Sequence, residues 1–224
     1  MERAYRNVGY WLLGLPALMV AGFWVPYFAA FPHFARSITA SVHLHALLQF
    51  SWVALAVVQP LAIRAGALRT HRRLGRLSYW LAPFIALFAL AMVVKEYAEH
   101  RAEGMSVPQG LAAEYLSLTF LALLGVCYTL AILRIRQRDA AQHMRYMICI
   151  AIALIPPGLG RVLGYLFGVR LRPAMSVALL LIDAILLALI LYDRQRATAA
   201  RPYRFVLAAY LVVEAGWLLL GRPV

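Results

Sequence analysis

The sequence predicts an all-α fold: a polytopic membrane bundle of seven transmembrane helices, with the N-terminus cytoplasmic and the C-terminus periplasmic. Three observations carry this. Of the 224 residues, 64% are hydrophobic and only 14% charged, whereas a soluble domain carries about 25% charge. The apolar residues gather into segments close to the roughly 20 residues that a membrane helix needs. The arginines fall in every second connection, on one side of the bundle. One membrane domain over residues 1–224 follows, with no stretch left for a soluble domain.

Taken in order, the spans lie near 8–30, 39–63, 79–97, 111–133, 146–168, 174–192 and 204–220. The first follows a basic start but contains Pro16, Trp24, Pro26 and Tyr27. It lacks a small-residue cleavage site, so it reads as a retained helix and not a signal peptide. The last is short and ends at Trp217, an interfacial anchor. It has no lysine, unlike the last span of retinal-binding rhodopsins.

Fifteen of the 22 cationic residues fall on one side. They are Arg3 and Arg6; Arg64, Arg69, Arg72, Arg73 and Arg76; Arg134, Arg136, Arg138 and Arg145; and Arg194, Arg196, Arg201 and Arg204. Arg36, Lys95, Arg101, Arg170, Arg172 and Arg222 fall on the other, and Arg161 lies inside a span. The positive-inside rule places the arginine-rich side in the cytoplasm, which for a bacterial protein means the inner membrane. The net charge of +13 is then topogenic. The expected partners are the lipid bilayer and anionic headgroups at the cytoplasmic face, and no nucleic acid. Cys127 and Cys149 sit in apolar segments and read as buried small hydrophobes.

Polar residues inside these spans mark candidate sites, because such groups are costly in hydrocarbon unless they face protein or water. His45, Gln49, Trp52, Ala56 and Gln59 share one helical face. In the fifth span, Pro156 and Pro157 remove two backbone donors and predict a kink or break. Such a break serves packing or lines a site, as in many transporters. Gly160, Gly164 and Gly168 follow as a small-residue ridge. Arg161 needs an anion, and Asp183 and Glu214 are the mid-span candidates. An outward-opening polar cavity lined by His45, Gln49, Glu114, Arg161, Asp183 and Glu214 is one expectation. A second group, His71, Arg72, Arg76, His143, Arg145 and Asp193, gathers at the cytoplasmic border as an ionic clamp or an anionic-ligand site.

The words His43-x-His45, His71-Arg72-x-x-Gly75-Arg76-x-Ser78-Tyr79, His143-x-Arg145-Tyr146-Met147 and Tyr192-Asp193 resemble a bacterial family of integral membrane proteins of unknown function. The resemblance covers roughly His43 to Asp193. It implies a helical bundle and supplies no reaction. Di-haem membrane cytochromes, by comparison, need facing histidine pairs; here His33 and His100 fall in loops.

Three functions follow. The first is binding or transport of a small ligand or ion in an intramembrane polar cavity. The second is a membrane redox enzyme with haem or a transition metal on His45, His71 or His143. The third is a structural or assembly factor whose polar groups fix packing. Whether the chain is an enzyme is open at this level.

Overall fold

The computed structural model describes residues 2–34, 38–194 and 200–220. Arg36, Arg196 and Arg222, which enter the charge count, lie outside them, as do 221–224. The described chain is all-helical. Ten α-helices follow in order: α1 Val8–Trp11, α2 Gly14–Phe23, α3 Ala40–Arg64, α4 Leu68–Ala102, α5 Val107–Ala113, α6 Tyr115–Arg136, α7 Ala140–Ile152, α8 Ile155–Phe167, α9 Leu171–Tyr192 and α10 Arg201–Leu220. Six of these helical stretches are long and apolar enough to cross a membrane: α3, α4, α6, the α7–α8 pair, α9 and α10. Large apolar side chains on their outer faces are exposed, as a lipid-facing surface requires.

The stretch expected as a first span is not one continuous helix. Pro16 cannot donate to the carbonyl of Leu12, and α1 and α2 part at Leu12–Leu13. Pro26 follows α2 closely, and the chain turns at Trp24–Tyr27. The broken segment still runs the length of α3, antiparallel to it. At one end Arg64 Nη1 donates to Asn7 Oδ1 at 2.5 Å. At the other, the Tyr27 hydroxyl bonds His43 Nδ1 at 2.7 Å. Between them α2 packs on α8 so closely that a Cβ on Gly22 would collide with the Gly158 backbone.

The span expected at 79–97 begins eleven residues earlier, since the arginine-rich word from Leu68 onward is already helical. Gly104, at φ 92°, ends α4. Ser106 opens α5 with a capping box to Gln109. Asp139 caps α7, its carboxylate accepting from the Gln142 amide at 2.9 Å. The break expected at the proline pair falls at Ala153–Leu154, and Pro156 and Pro157 occupy the first turn of α8, where their missing donors cost nothing. The α7–α8 pair forms the centre of the bundle: every residue from Ile148 to Leu154 is buried. By contrast α4 buries only Ser78 and lies at the periphery. Cys127 and Cys149 are buried and unpaired in a disulfide.

Candidate functional site

Two cavities lie beneath α4. The larger, about 880 Å³, occupies the arginine-rich end. The second, about 660 Å³, occupies the opposite end. Both fall within the range of volumes that small-molecule pockets span. Their walls follow each helix in order. On α3 the second cavity takes positions 45–52 and the first takes 52–63; on α4 they take 82–96 and 69–79. On α7–α8 they take 150–161 and 140–151. They are therefore stacked end to end along the bundle, and Trp52, Tyr128 and Ile150 belong to both.

Ring contacts and hydrogen bonds tie that shared level together. The Trp52 and Tyr128 rings meet edge to face, with centroids 5.6 Å apart. The Tyr128 hydroxyl bonds Ser78 Oγ at 2.9 Å, and Ser78 Oγ also reaches the Gly75 carbonyl at 2.7 Å. The helix break at Ala153–Leu154 follows Ile150 by less than one turn.

The face of α3 that was expected to carry a site lines both cavities: His45 and Gln49 the second, Ala56 and Gln59 the first, with Trp52 between. In the first cavity Gln59 clips onto α4. With its amide nitrogen toward His71, it donates to the His71 carbonyl at 3.1 Å and to His71 Nδ1 at 2.5 Å, and its oxygen accepts from the Gly75 amide at 2.9 Å. His71 Nδ1 is then an acceptor, so the ring proton sits on Nε2. His143 is set the other way: its Nδ1 is 2.9 Å from the Ala131 carbonyl, which can only accept, so Nδ1 carries the proton and Nε2 is bare. Arg69, Arg72, Arg73 and Arg76 of α4 line the same cavity. Among the described residues, none of the four has a carboxylate within 4.0 Å.

The group expected at the cytoplasmic border divides. His71, Arg72, Arg76 and His143 line the first cavity. Arg145 and Asp193 instead form a buried ion cluster with the N-terminal segment. Arg145 Nε donates to Asp193 Oδ2 at 2.6 Å, and both residues are fully buried. Its two terminal nitrogens grip the Glu2 carboxylate at 2.8 and 3.0 Å, a bidentate pair. The Tyr5 hydroxyl donates to Asp193 Oδ2 at 2.8 Å, and the Tyr5 ring lies under the guanidinium at 4.9 Å. Burial pushes the Tyr5 phenol up, so it stays a donor. Glu2 and Tyr5 are the members that sequence spacing missed, and nothing in their neighbourhood signals a partner more than 140 positions away.

The expected polar cavity does not assemble as a unit. His45, Gln49 and Arg161 line the second cavity. Its walls are otherwise largely apolar, including Leu116, Phe120 and Leu124. Glu114 is buried at the start of α6, with His100 Nδ1 3.3 Å away. Burial pushes its carboxyl above the ordinary range, the nearby Glu96 adds to that, and His100 opposes it. Asp183 and Glu214 line neither cavity; they neighbour each other across α9 and α10, and Asp183 Oδ1 and Glu214 Oε1 are buried with no hydrogen-bond partner among the described residues. Arg161 reaches neither of them. It is exposed, donates to the Pro157 carbonyl at 2.9 Å and lies 4.4 Å over the Phe23 ring. The break before α8 turns this face toward α2, away from the acids on α9 and α10.

The histidines expected as metal or haem ligands also separate, His45 to the second cavity and His71 and His143 to the first. No group of three or more histidine, cysteine or acidic residues converges among the described residues. His71, protonated on Nε2, is not set to ligate through that nitrogen.

No family model, no curated protein and no solved structure matches the chain. What stands is a multi-span helical membrane protein with two stacked cavities.

Proposed function

We propose that this chain is a multi-pass protein of the bacterial inner membrane that binds a small ligand within the bundle and passes it along the bundle axis. The observation that carries this reading is the stacking of the two cavities on one shared aromatic level, Trp52 and Tyr128. A discontinuous helix at that level is the device by which transporters place mobile backbone beside a path. The broken N-terminal segment supplies a seventh crossing in this reading, supported by its contacts at both ends of α3. The arginine count then gives a cytoplasmic N-terminus and a periplasmic C-terminus, and a reporter fused within 134–142 reads out in the cytoplasm.

The test uses proteoliposomes carrying chain-labelled fluorescent amphiphiles with anionic, neutral or cationic heads. Transfer between leaflets is read by quenching with an external reductant. Transfer of at least one probe above the protein-free rate, altered by Trp52→Ala, is expected. Rates equal to those of protein-free vesicles for all three probes would reject the path. A second reading, a redox enzyme with haem or a metal, rests on the bare Nε2 of His143. A Soret band or bound metal in the purified protein, lost in His143→Ala, is its signature.

A further inference from the structure

The first cavity pairs an apolar body with an unusually specific head. Leu12, Leu55, Ile63, Ile132, Met144 and Ile148 are among its apolar walls. None of its four arginines has a carboxylate within 4.0 Å among the described residues, and Glu2, the one acid in the wall, is held by Arg145, so the balance of charge around the cavity is positive and favours an anion. The two histidines narrow the anion further. Both line this one cavity, His71 from α4 and His143 from α7. Gln59 fixes His71 with a proton on Nε2, and the Ala131 carbonyl fixes His143 with Nε2 bare. With Nδ1 of each ring engaged, Nε2 is the nitrogen left for the cavity. The head must therefore accept at His71 and donate at His143.

A carboxylate or a phosphate diester is ionised at neutral pH and only accepts. A phosphate monoester has a second pKa of about 6, so near neutral pH its dianion is in equilibrium with a monoanion that keeps one P–OH, and that monoanion can both accept and donate, as neither a carboxylate nor a diester can. We propose that the first cavity binds a phosphate monoester of a long hydrocarbon chain: its anionic oxygens accept from His71 Nε2 and the α4 arginines, its P–OH donates to His143 Nε2, and its chain lies along the apolar wall toward Trp52. This rests on the proposed function for its role in transfer and on the cavity alone for its chemistry.

The experiment measures binding to the full chain in an uncharged maltoside detergent, by calorimetry and thermal shift. The probes are decyl phosphate, its methyl diester, decanoate, decanol and inorganic phosphate. Decyl phosphate is expected to bind roughly tenfold or more tightly than the diester, the cost of one hydrogen bond to a charged group. Decanol and inorganic phosphate, each lacking half of the molecule, are expected to bind more weakly still. His143→Leu should lower decyl phosphate to the affinity of the diester and leave the diester unchanged, whereas His71→Leu should weaken both. His143→Gln serves if the leucine variant fails to fold. Equal binding of monoester and diester, or a His143 variant that weakens both alike, would overturn the assignment. Inorganic phosphate binding as tightly as decyl phosphate would show a soluble-anion site and overturn it too. Decyl phosphate binding without leaflet transfer sinks the path and leaves this inference standing. Transfer without any monoester preference does the reverse.

Discussion

Arg145 and Arg161 belong to the two halves of one broken span, sixteen residues apart, and their fates are opposite. Arg145 in α7 is fully buried and holds two carboxylates, Glu2 and Asp193. Arg161 in α8 is exposed, with a backbone carbonyl and a phenyl ring for company. Hydrophobic context alone favours Arg161 as the buried charge, since it follows a purely apolar run. Partners decide instead. A buried guanidinium persists only where anions and hydrogen bonds replace its water, and the fold brings those to Arg145 from the chain's N-terminus and the end of α9. A long side chain at a bundle surface can carry its charge outward along its own stem, which suits Arg161.

The contrast breaks most visibly at Arg145. Arg145→Ala removes the guanidinium that bridges buried Asp193 and Glu2 and is expected to cost about 3–5 kcal/mol in detergent unfolding. Arg161→Ala loses an exposed cation–π contact and a hydrogen bond to the Pro157 carbonyl of its own helix, and should cost about 0.5–1 kcal/mol. Equal losses would erase the distinction. Asp193→Asn comes next, at about 1.5–3 kcal/mol for a hydrogen bond to a charged group. Its effect should be non-additive with Arg145→Ala in a double-mutant cycle. Arg161→Ala combined with Asp183→Ala or Glu214→Ala should be additive, since Arg161 touches neither acid. Glu2→Gln belongs below Asp193→Asn because the Glu2 side chain is 30% exposed.

The smallest effect is a pH dependence at Glu114. Burial holds its folded pKa above the ordinary carboxylate value. The folded state therefore binds the proton over a range where the unfolded state has released it, and stability falls as pH rises through that range. The fall begins near the unfolded value of about 4.3 and is complete above the folded one. Glu114→Gln should flatten the stability profile in that window. An unchanged slope would remove Glu114 as a source.

Much of the architecture was legible in the sequence because hydrocarbon forbids ambiguity: apolar length gave α3, α6, α9 and α10 to within a few residues. The proline pair gave the break before α8 for the same reason. The face of α3 from His45 to Gln59 was legible because polar residues in a membrane helix repeat only where they look inward. The first stretch was misjudged as one helix because apolar length outweighed Pro16 and Pro26. The six polar residues expected around one cavity fall in separate places because sequence gives depth but not azimuth. Asp183 and Arg161 lie at plausible depths, yet the turn at Ala153–Leu154 rotates Arg161 toward α2. Long-range pairing was the least legible of all: the hold of Arg145 on Glu2 spans 143 positions.

The central proposal is that Trp52 and Tyr128 separate the two stacked cavities, and that each is reached from its own end of the bundle. Single cysteines at Ala56 in the first cavity and Ala89 in the second, probed with a membrane-impermeant maleimide from each side of oriented vesicles, test it directly. The native Cys127 and Cys149, each 2% exposed, contribute little background. Ala56→Cys should react only from the arginine-rich side and Ala89→Cys only from the other, and adding Trp52→Ala should make each reactive from both sides. Labelling of both positions from one side with Trp52 in place, or labelling that Trp52→Ala leaves unchanged, would contradict the account.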